Sequence, residues 1–153
     1  MYLSTYGDIG NQGCVVHLRL DDAPPKSHAY QCQIGDARLC KLLTWLHTTP
    51  GFGDRGIKLV TGPNDKDRCR HVCDQLEFPV EVEGNEDVDV DIWTLANADP
   101  LIMSRSTFAL TAGILCPRPA YTYESWRHFD EVSGRTSGFE STHLRVLPPE
   151  WSE

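Results

Sequence analysis

Three short segments of the chain carry side chains that could do chemistry together. The first is His17-Leu18-Arg19-Leu20-Asp21-Asp22. Positions 17 and 19 fall on the same face of an extended strand, so an imidazole and a guanidinium could converge on one ligand. An Arg at the end of an apolar run needs an anion, because the guanidinium cannot shed its charge by deprotonation. Two anions fit: the neighbouring carboxylate of Asp21 or Asp22, or a phosphate, whose oxygens suit the planar donor fork. The second segment is Ser104-Arg105-Ser106-Thr107-Phe108. Hydroxyls and free backbone N–H groups at a helix start form an anion site, and the same residues also read as an ordinary N-cap. The third is Asp91-Ile92-Trp93, which follows Asp87 and Asp89. A carboxylate that accepts two donors could read the N1–H and 2-amino edge of guanine, a pair adenine lacks. It equally fits an N-cap at the end of a solvated acidic loop.

The elements that must position these segments alternate. Residues 14–19 are short, β-rich and apolar, between Gly13 and the turn-forming residues 21–25, and read as a buried strand. Residues 35–47 place Leu39, Leu42, Leu43 and Leu46 at helical spacing. A strand at 57–61, a Gly-Pro-Asn-Asp turn and a helix through Cys69, Val72, Cys73 and Leu76 follow. Residues 78–82 predict a third strand, 84–91 an acidic loop and 91–98 a helix. Residues 100–104 predict a buried strand, 108–115 a small-residue helix, 118–122 another strand, and 143–147 an edge strand. This alternation implies an α/β fold, a Rossmann-like parallel sheet with helices on both faces and right-handed crossovers. In such a sheet ligands bind outside the carboxyl ends of the strands, and all three segments fall there.

The chain has 153 residues, enough for one domain over 1–153, with the motif-bearing core at 14–121 and an extension at 122–153. Its net charge of −8 and the absence of a Lys/Arg run argue against generic nucleic-acid binding, where cations replace condensed counterions along the phosphates. One phosphorylated small molecule remains compatible with that charge. No stretch approaches the roughly 18 apolar residues of a membrane span, and residues 1–13 lack the basic and apolar regions of a signal peptide, so the expected compartment is cytoplasmic. Six cysteines are too few for a disulfide scaffold and read as free buried thiols. Cys69-x-His71-x-Cys73 offers two thiols on one helix face but no second pair at zinc-site spacing. Asp87, Asp89 and Asp91 lack the Gly and distal Glu of a calcium loop. No metal site is expected.

In order and spacing, three stretches together resemble the donor-binding half of the GDP-fucose-dependent fucosyltransferases, the superfamily of α-1,2, α-1,6 and protein O-fucosyltransferases. They are His17 to Asp22, Val60 to Asp65, and Asp91 through Ser106-Thr107-Phe108 to Gly113. The resemblance covers about residues 14 to 121. It departs from the family pattern where Leu20 follows Arg19 and Asp21-Asp22 replaces Gly-Asp. It implies the C-terminal Rossmann-like half of a metal-independent GT-B glycosyltransferase with a GDP-sugar, GDP-fucose in particular, as donor substrate and no cofactor. The resemblance further implies that His17 and Asp91 contact guanine, that Arg19 lies on the diphosphate, and that Ser106, Thr107 and Phe108 bind phosphate and nucleoside. The implied reaction is inverting transfer of the sugar to a hydroxyl of a glycan or protein acceptor, with Arg19 stabilising the departing GDP. Asp21 or Asp22 could serve as the base that deprotonates the acceptor, or could orient Arg19 and His17; Asp22 is the residue carried forward as catalytic with Arg19. A partner supplying the acceptor side belongs to the expectation. Two alternatives stand beside it: another nucleotide-sugar donor on the same fold, or a non-catalytic nucleotide-binding or interaction module.

Overall fold

The computed structural model describes residues 11–19, 34–123 and 144–153. Six strands form one sheet: β1 (Cys14–His17), β2 (Ile57–Val60), β3 (Val80–Glu83), β4 (Leu101–Met103), β5 (Ala120–Thr122) and β6 (Leu144–Val146). All neighbours pair in parallel, in the order β3-β2-β1-β4-β5-β6. Four helices connect or flank them: α1 (Asp36–Thr48), α2 (Lys66–Cys73), α3 (Val88–Ala96) and α4 (Thr107–Leu115).

The alternation of side chains along each strand divides the core in two. Cys14 and Val16 of β1, Leu59 of β2 and Ile102 of β4 point to one face, where they pack with Leu39, Leu42, Leu43 and Leu46 of α1 and Cys69 and Val72 of α2. Val15, Val60, Leu101 and Met103 point to the other, against Leu95 of α3 and Ala109 and Ala112 of α4. Helices therefore cover both faces, as the apolar runs require: a parallel strand buried on both sides has no polar face to show. The four leucines of α1 are each almost fully inaccessible, in keeping with their one-face spacing.

The observed elements depart from the sequence expectation at three places that matter for function. β1 ends at His17, so Arg19 lies beyond the strand and strand alternation does not set its direction. β3 runs over Val80–Glu83, two residues later at its start than expected, because its half-exposed edge position leaves no apolar run to mark it. The helix expected from residue 91 begins at Val88. Asp87 caps it, its side chain accepting from Asp89 N at 3.0 Å, so Asp91 is not the N-cap but a buried residue of the first turn. The edge strand expected near 143–147 is β6, parallel to β5. Asp21, Asp22 and Cys32 lie outside the described residues, and with them the turn expected at 21–25.

Cys14, Cys40, Cys69, Cys73 and Cys116 are free thiols. Burial pushes Cys14 up to about 12 and Cys69 and Cys73 up to about 11, which holds these sulfurs as unreactive thiols. Among the described residues no group of three His, Cys, Asp or Glu side chains could hold a metal ion, and no helix is long and apolar enough to cross a membrane.

Where β3 leaves the sheet, its chain crosses close to the exit of β2. A Cβ on Gly84 would sit 3.0 Å from the Thr61 carbonyl oxygen and 3.1 Å from that of Gly62. Neither backbone atom can swing aside, so Gly84→Ala is expected to lower stability by about 1–3 kcal/mol, the ordinary penalty of overpacking. Urea unfolding checks this, and an unchanged midpoint would show that the two exits are not in fixed contact.

Candidate functional site

The sheet order places β2 and β4 on opposite sides of β1. The connection leaving β1 runs to β2 on one side and the connection leaving β4 runs to β5 on the other, so no crossover covers the gap at the carboxyl ends of β1 and β4. A cleft of about 500 Å³ opens there, within the roughly 300–1,000 Å³ range of small-molecule sites. His17, Arg19, Asp91, Ser106, Thr107 and Phe108, each singled out in the sequence, all line it. Asp22 lies outside the described residues, so its place relative to the cleft is not described.

The wall formed by β1, β4 and α4 is rich in donors. His17 is the last residue of β1 and only 8% exposed. Its Nδ1 lies 2.7 Å from Oγ of Ser104, the residue immediately after β4, so one hydrogen bond ties the two strand exits together. Ser106 caps α4: its Oγ accepts from Ala109 N at 3.3 Å, and its carbonyl accepts from Leu110 N at 2.9 Å. The cap side chain thus serves the third N–H of the helix, and the N–H groups of Thr107 and Phe108, which have no intrahelical acceptor by position, belong to the positive end of the dipole. The N-cap expected at Ser106 is observed. Phe108 packs its ring on the imidazole of His17, centroids 5.6 Å apart at 44°. Half-buried Arg19 completes this wall.

The opposite wall, from α3 and the exit of β3, is rich in acceptors. Asp91 is 7% exposed. Its Oδ1 accepts from Nδ2 of Asn85 at 2.8 Å, and the backbone N–H of Asn85 donates to it as well. Burial raises its pKa, outweighing the lowering by the two Asn85 bonds, and the nearby charges of Glu83 and Asp87 raise it further. Among the described residues no cation pairs with this carboxylate. A buried, unneutralised carboxylate facing a cleft is poorly explained by stability and well explained by a ligand that brings donors to it.

Ser104, expected to end the 100–104 strand and open the second segment, follows β4; its pairing with His17 is not legible in the sequence, because it joins residues 87 apart. Asn85, which lines the cleft, is not singled out by the sequence. Asn85 follows the third strand exit, and the strand-exit rule that singled out the ends of β1 and β4 applies to it equally. The exit of β2, Thr61 to Asp65, which the resemblance includes, also lines the cleft.

No protein-family model matches the chain, and no curated protein matches it by sequence. Solved structures do. One is a glycosyl transferase family 9 protein from Veillonella parvula DSM 2008, at a TM-score of 0.55 and 18% identity, covering 95% of this chain and 38% of that one. Another is E. coli heptosyltransferase WaaC solved with ADP-2-deoxy-2-fluoro heptose, at a TM-score of 0.56 and 14% identity, covering 95% and 39%. The chain spans about two fifths of each. Its six-stranded parallel sheet with helices on both faces has the fold of one Rossmann-like half of these GT-B glycosyltransferases. At such identities the likeness is one of fold.

The state of Asp91 leads to a pH prediction. A carboxyl whose folded-state pKa lies above its unfolded value binds its proton more tightly in the folded chain. Its contribution to stability is therefore full at acid pH and is lost as pH rises from the ordinary carboxylate value through the raised one. Asp91→Asn removes that decline, so the variant is expected to be at least as stable as the parent at neutral pH and to lose this advantage below the ordinary carboxylate range. Thermal unfolding across this range decides it: a variant less stable at neutral pH would mark Asp91 as a structural anchor.

Proposed function

We propose that this chain is the donor-binding half of a GT-B glycosyltransferase, that its donor is a GDP-sugar, and that GDP-fucose is the first candidate. The observation that carries the reading is the division of the cleft into a donor wall and an acceptor wall at the β1/β4 switch point. A nucleoside diphosphate has the complementary division, with anionic oxygens at one end and, in guanine, two adjacent donors at the other.

In this reading the diphosphate lies against Arg19 and the N-terminus of α4, where Thr107 and Phe108 offer their N–H groups. Guanine donates its N1–H and 2-amino group to Asp91, which Asn85 holds in place. Charge builds on the β-phosphate as the glycosidic bond of the donor breaks. Fixed donors aimed at those oxygens stabilise the departing GDP more than the bound donor, which is the requirement for catalysis. Attack by a glycan or protein hydroxyl from the opposite face inverts the anomeric centre, and Asp22 remains the proposed base or positioning group for that step. The acceptor side is the share of the GT-B architecture that these 153 residues do not span, or a partner's.

One finding favours a second donor. The E. coli neighbour was solved with an ADP-sugar analogue, and adenine brings only its 6-amino donor to the same edge, so an ADP-sugar would engage Asp91 once.

Calorimetry of GDP, GDP-fucose, ADP and UDP on the purified chain tests the reading. Binding led by GDP and GDP-fucose is expected; preference for ADP would select the second donor, and binding by none would overturn both. Arg19→Ala should weaken GDP binding by about 1.5–3 kcal/mol, the range for hydrogen bonds to charged groups. Unchanged affinity would remove Arg19 from the site. Asp91→Asn should reduce affinity for GDP more than for ADP, and equal losses would refute the guanine contact.

A further inference from the structure

The hydrogen bonds of the acceptor wall can be followed one by one. The Asp91 carboxylate accepts from Nδ2 of Asn85 at 2.8 Å and from the backbone N–H of the same residue. Among the described residues these are its hydrogen-bond partners. A carboxylate offers about four lone-pair positions, so about two are left for a ligand in the cleft that Asp91 lines. An ionised carboxylate has no proton to give, which fixes the amide of Asn85 with its nitrogen toward Asp91. The amide oxygen shares a carbon with that nitrogen and is therefore held beside the carboxylate. Nothing among the described residues donates to this oxygen, and Asn85 is half-buried in the lining of the cleft. The backbone before it runs against the exit of β2, where a Cβ on Gly84 would meet the carbonyls of Thr61 and Gly62.

A second observation concerns the face of α3. Val88, three residues before Asp91 and on the same side of the helix, also lines the cleft and is 61% exposed. The fold leaves this apolar side chain uncovered beside a row of acceptors. A flat ring with donors along one edge suits both, its face on the valine and its edge on the carboxylate and amide oxygens.

We infer that Asn85 is a specificity-determining residue: its amide oxygen, oriented by the grip of Asp91 on the amide nitrogen, accepts a further donor from the edge of the ligand's ring. The wall then selects an unsubstituted exocyclic amine next to a ring N–H, with the N–H and one amine hydrogen on Asp91 and the second amine hydrogen on Asn85. Guanine has this edge. Hypoxanthine lacks the amine, and the 6-amino group of adenine adjoins a bare ring nitrogen that would face the acceptors with a lone pair of its own. The inference rests on the donor-binding reading and deepens it, since it names the hydrogen that Asn85 reads. It also separates two roles of Asn85. Holding Asp91 serves any base that Asp91 binds, whereas the amide oxygen serves the second amine hydrogen alone.

Calorimetry on the whole chain with GDP, with GDP methylated on the 2-amino nitrogen, and with inosine diphosphate tests this. In the parent chain affinity should fall about three- to tenfold from GDP to the methylated form, the loss of one hydrogen bond, and further to inosine diphosphate. In Asn85→Ala the gap between GDP and its methylated form should close, while all three ligands weaken together from the loss of the hold on Asp91. A gap that persists at its parental size in Asn85→Ala would leave Asn85 a positioning residue only and overturn the inference. The parent chain decides the matter even where the variant fails to fold, because equal affinities for GDP and its methylated form would overturn the inference without it. In that case GDP binding itself would leave the donor-binding reading standing. No binding of GDP, or preference for ADP, would overturn the guanine reading and this inference with it.

Discussion

The site depends on one topological constraint, the handedness of the connections between parallel strands. A crossover between parallel strands of one sheet is right-handed. β1 has β2 on one side and β4 on the other, so the connections at its two edges lie on opposite faces and diverge at the carboxyl ends. That divergence leaves the gap in which the cleft forms. β1 can occupy the centre because all four of its residues are buried and its apolar side chains supply both core clusters. A polar substitution at Val15 or Val16 would damage the site by dismantling the sheet before touching any ligand.

Given the gap, short-range chemistry furnishes it. The strands end in polar residues because the chain leaves the hydrophobic layer there: His17 as the last residue of β1, Thr61 after β2, Asn85 just beyond β3, Ser104 after β4. The start of α4 adds unpaired N–H groups, and the start of α3 adds a buried carboxylate. The two walls therefore differ in sign for a structural reason. α4 presents its N-terminal N–H groups to the cleft, whereas Asp91 sits within the first turn of α3 and is held by Asn85. Fixed donors and acceptors of this kind need little reorganisation when a ligand arrives, which is what makes them effective in binding and in transition-state stabilisation.

Much of this was legible in the sequence, and the misses have physical causes. The apolar runs 14–19 and 100–104 and the leucine spacing of 35–47 identified β1, β4 and α1, because fully buried elements leave strong patterns. α3 was placed three residues late since Asp87, Asp89 and Asp91 look like a solvated loop; in the fold they form a cap and a first turn, where acidic side chains favour the helix dipole. β3 was displaced by its edge position, where alternation is blurred by half-exposed residues. The clustering of His17, Arg19, Asp91 and Ser106 followed from the strand-exit rule, but the bonds His17–Ser104 and Asn85–Asp91 did not. Such bonds depend on side-chain directions that strand periodicity cannot supply, least of all after the strand has ended. Even the strongest readings from the sequence thus located the site's residues more firmly than their partners. The resemblance to fucosyltransferase motifs and the structural likeness to family 9 glycosyltransferases agree on a GT-B half and differ in the donor they bring to mind.

The central claim is that a nucleoside diphosphate lies across the β1/β4 switch point, its phosphates on the α4 side and its base on the α3 side. Backbone and side-chain NMR of the labelled chain, titrated with GDP, addresses this most directly. The account predicts that the largest shifts fall on Arg19, Ser106 and Thr107 for the diphosphate end and on Asn85 and Asp91 for the base, with pyrophosphate alone reproducing only the first set. Shifts confined to other surfaces, or none at saturating nucleotide, would contradict it.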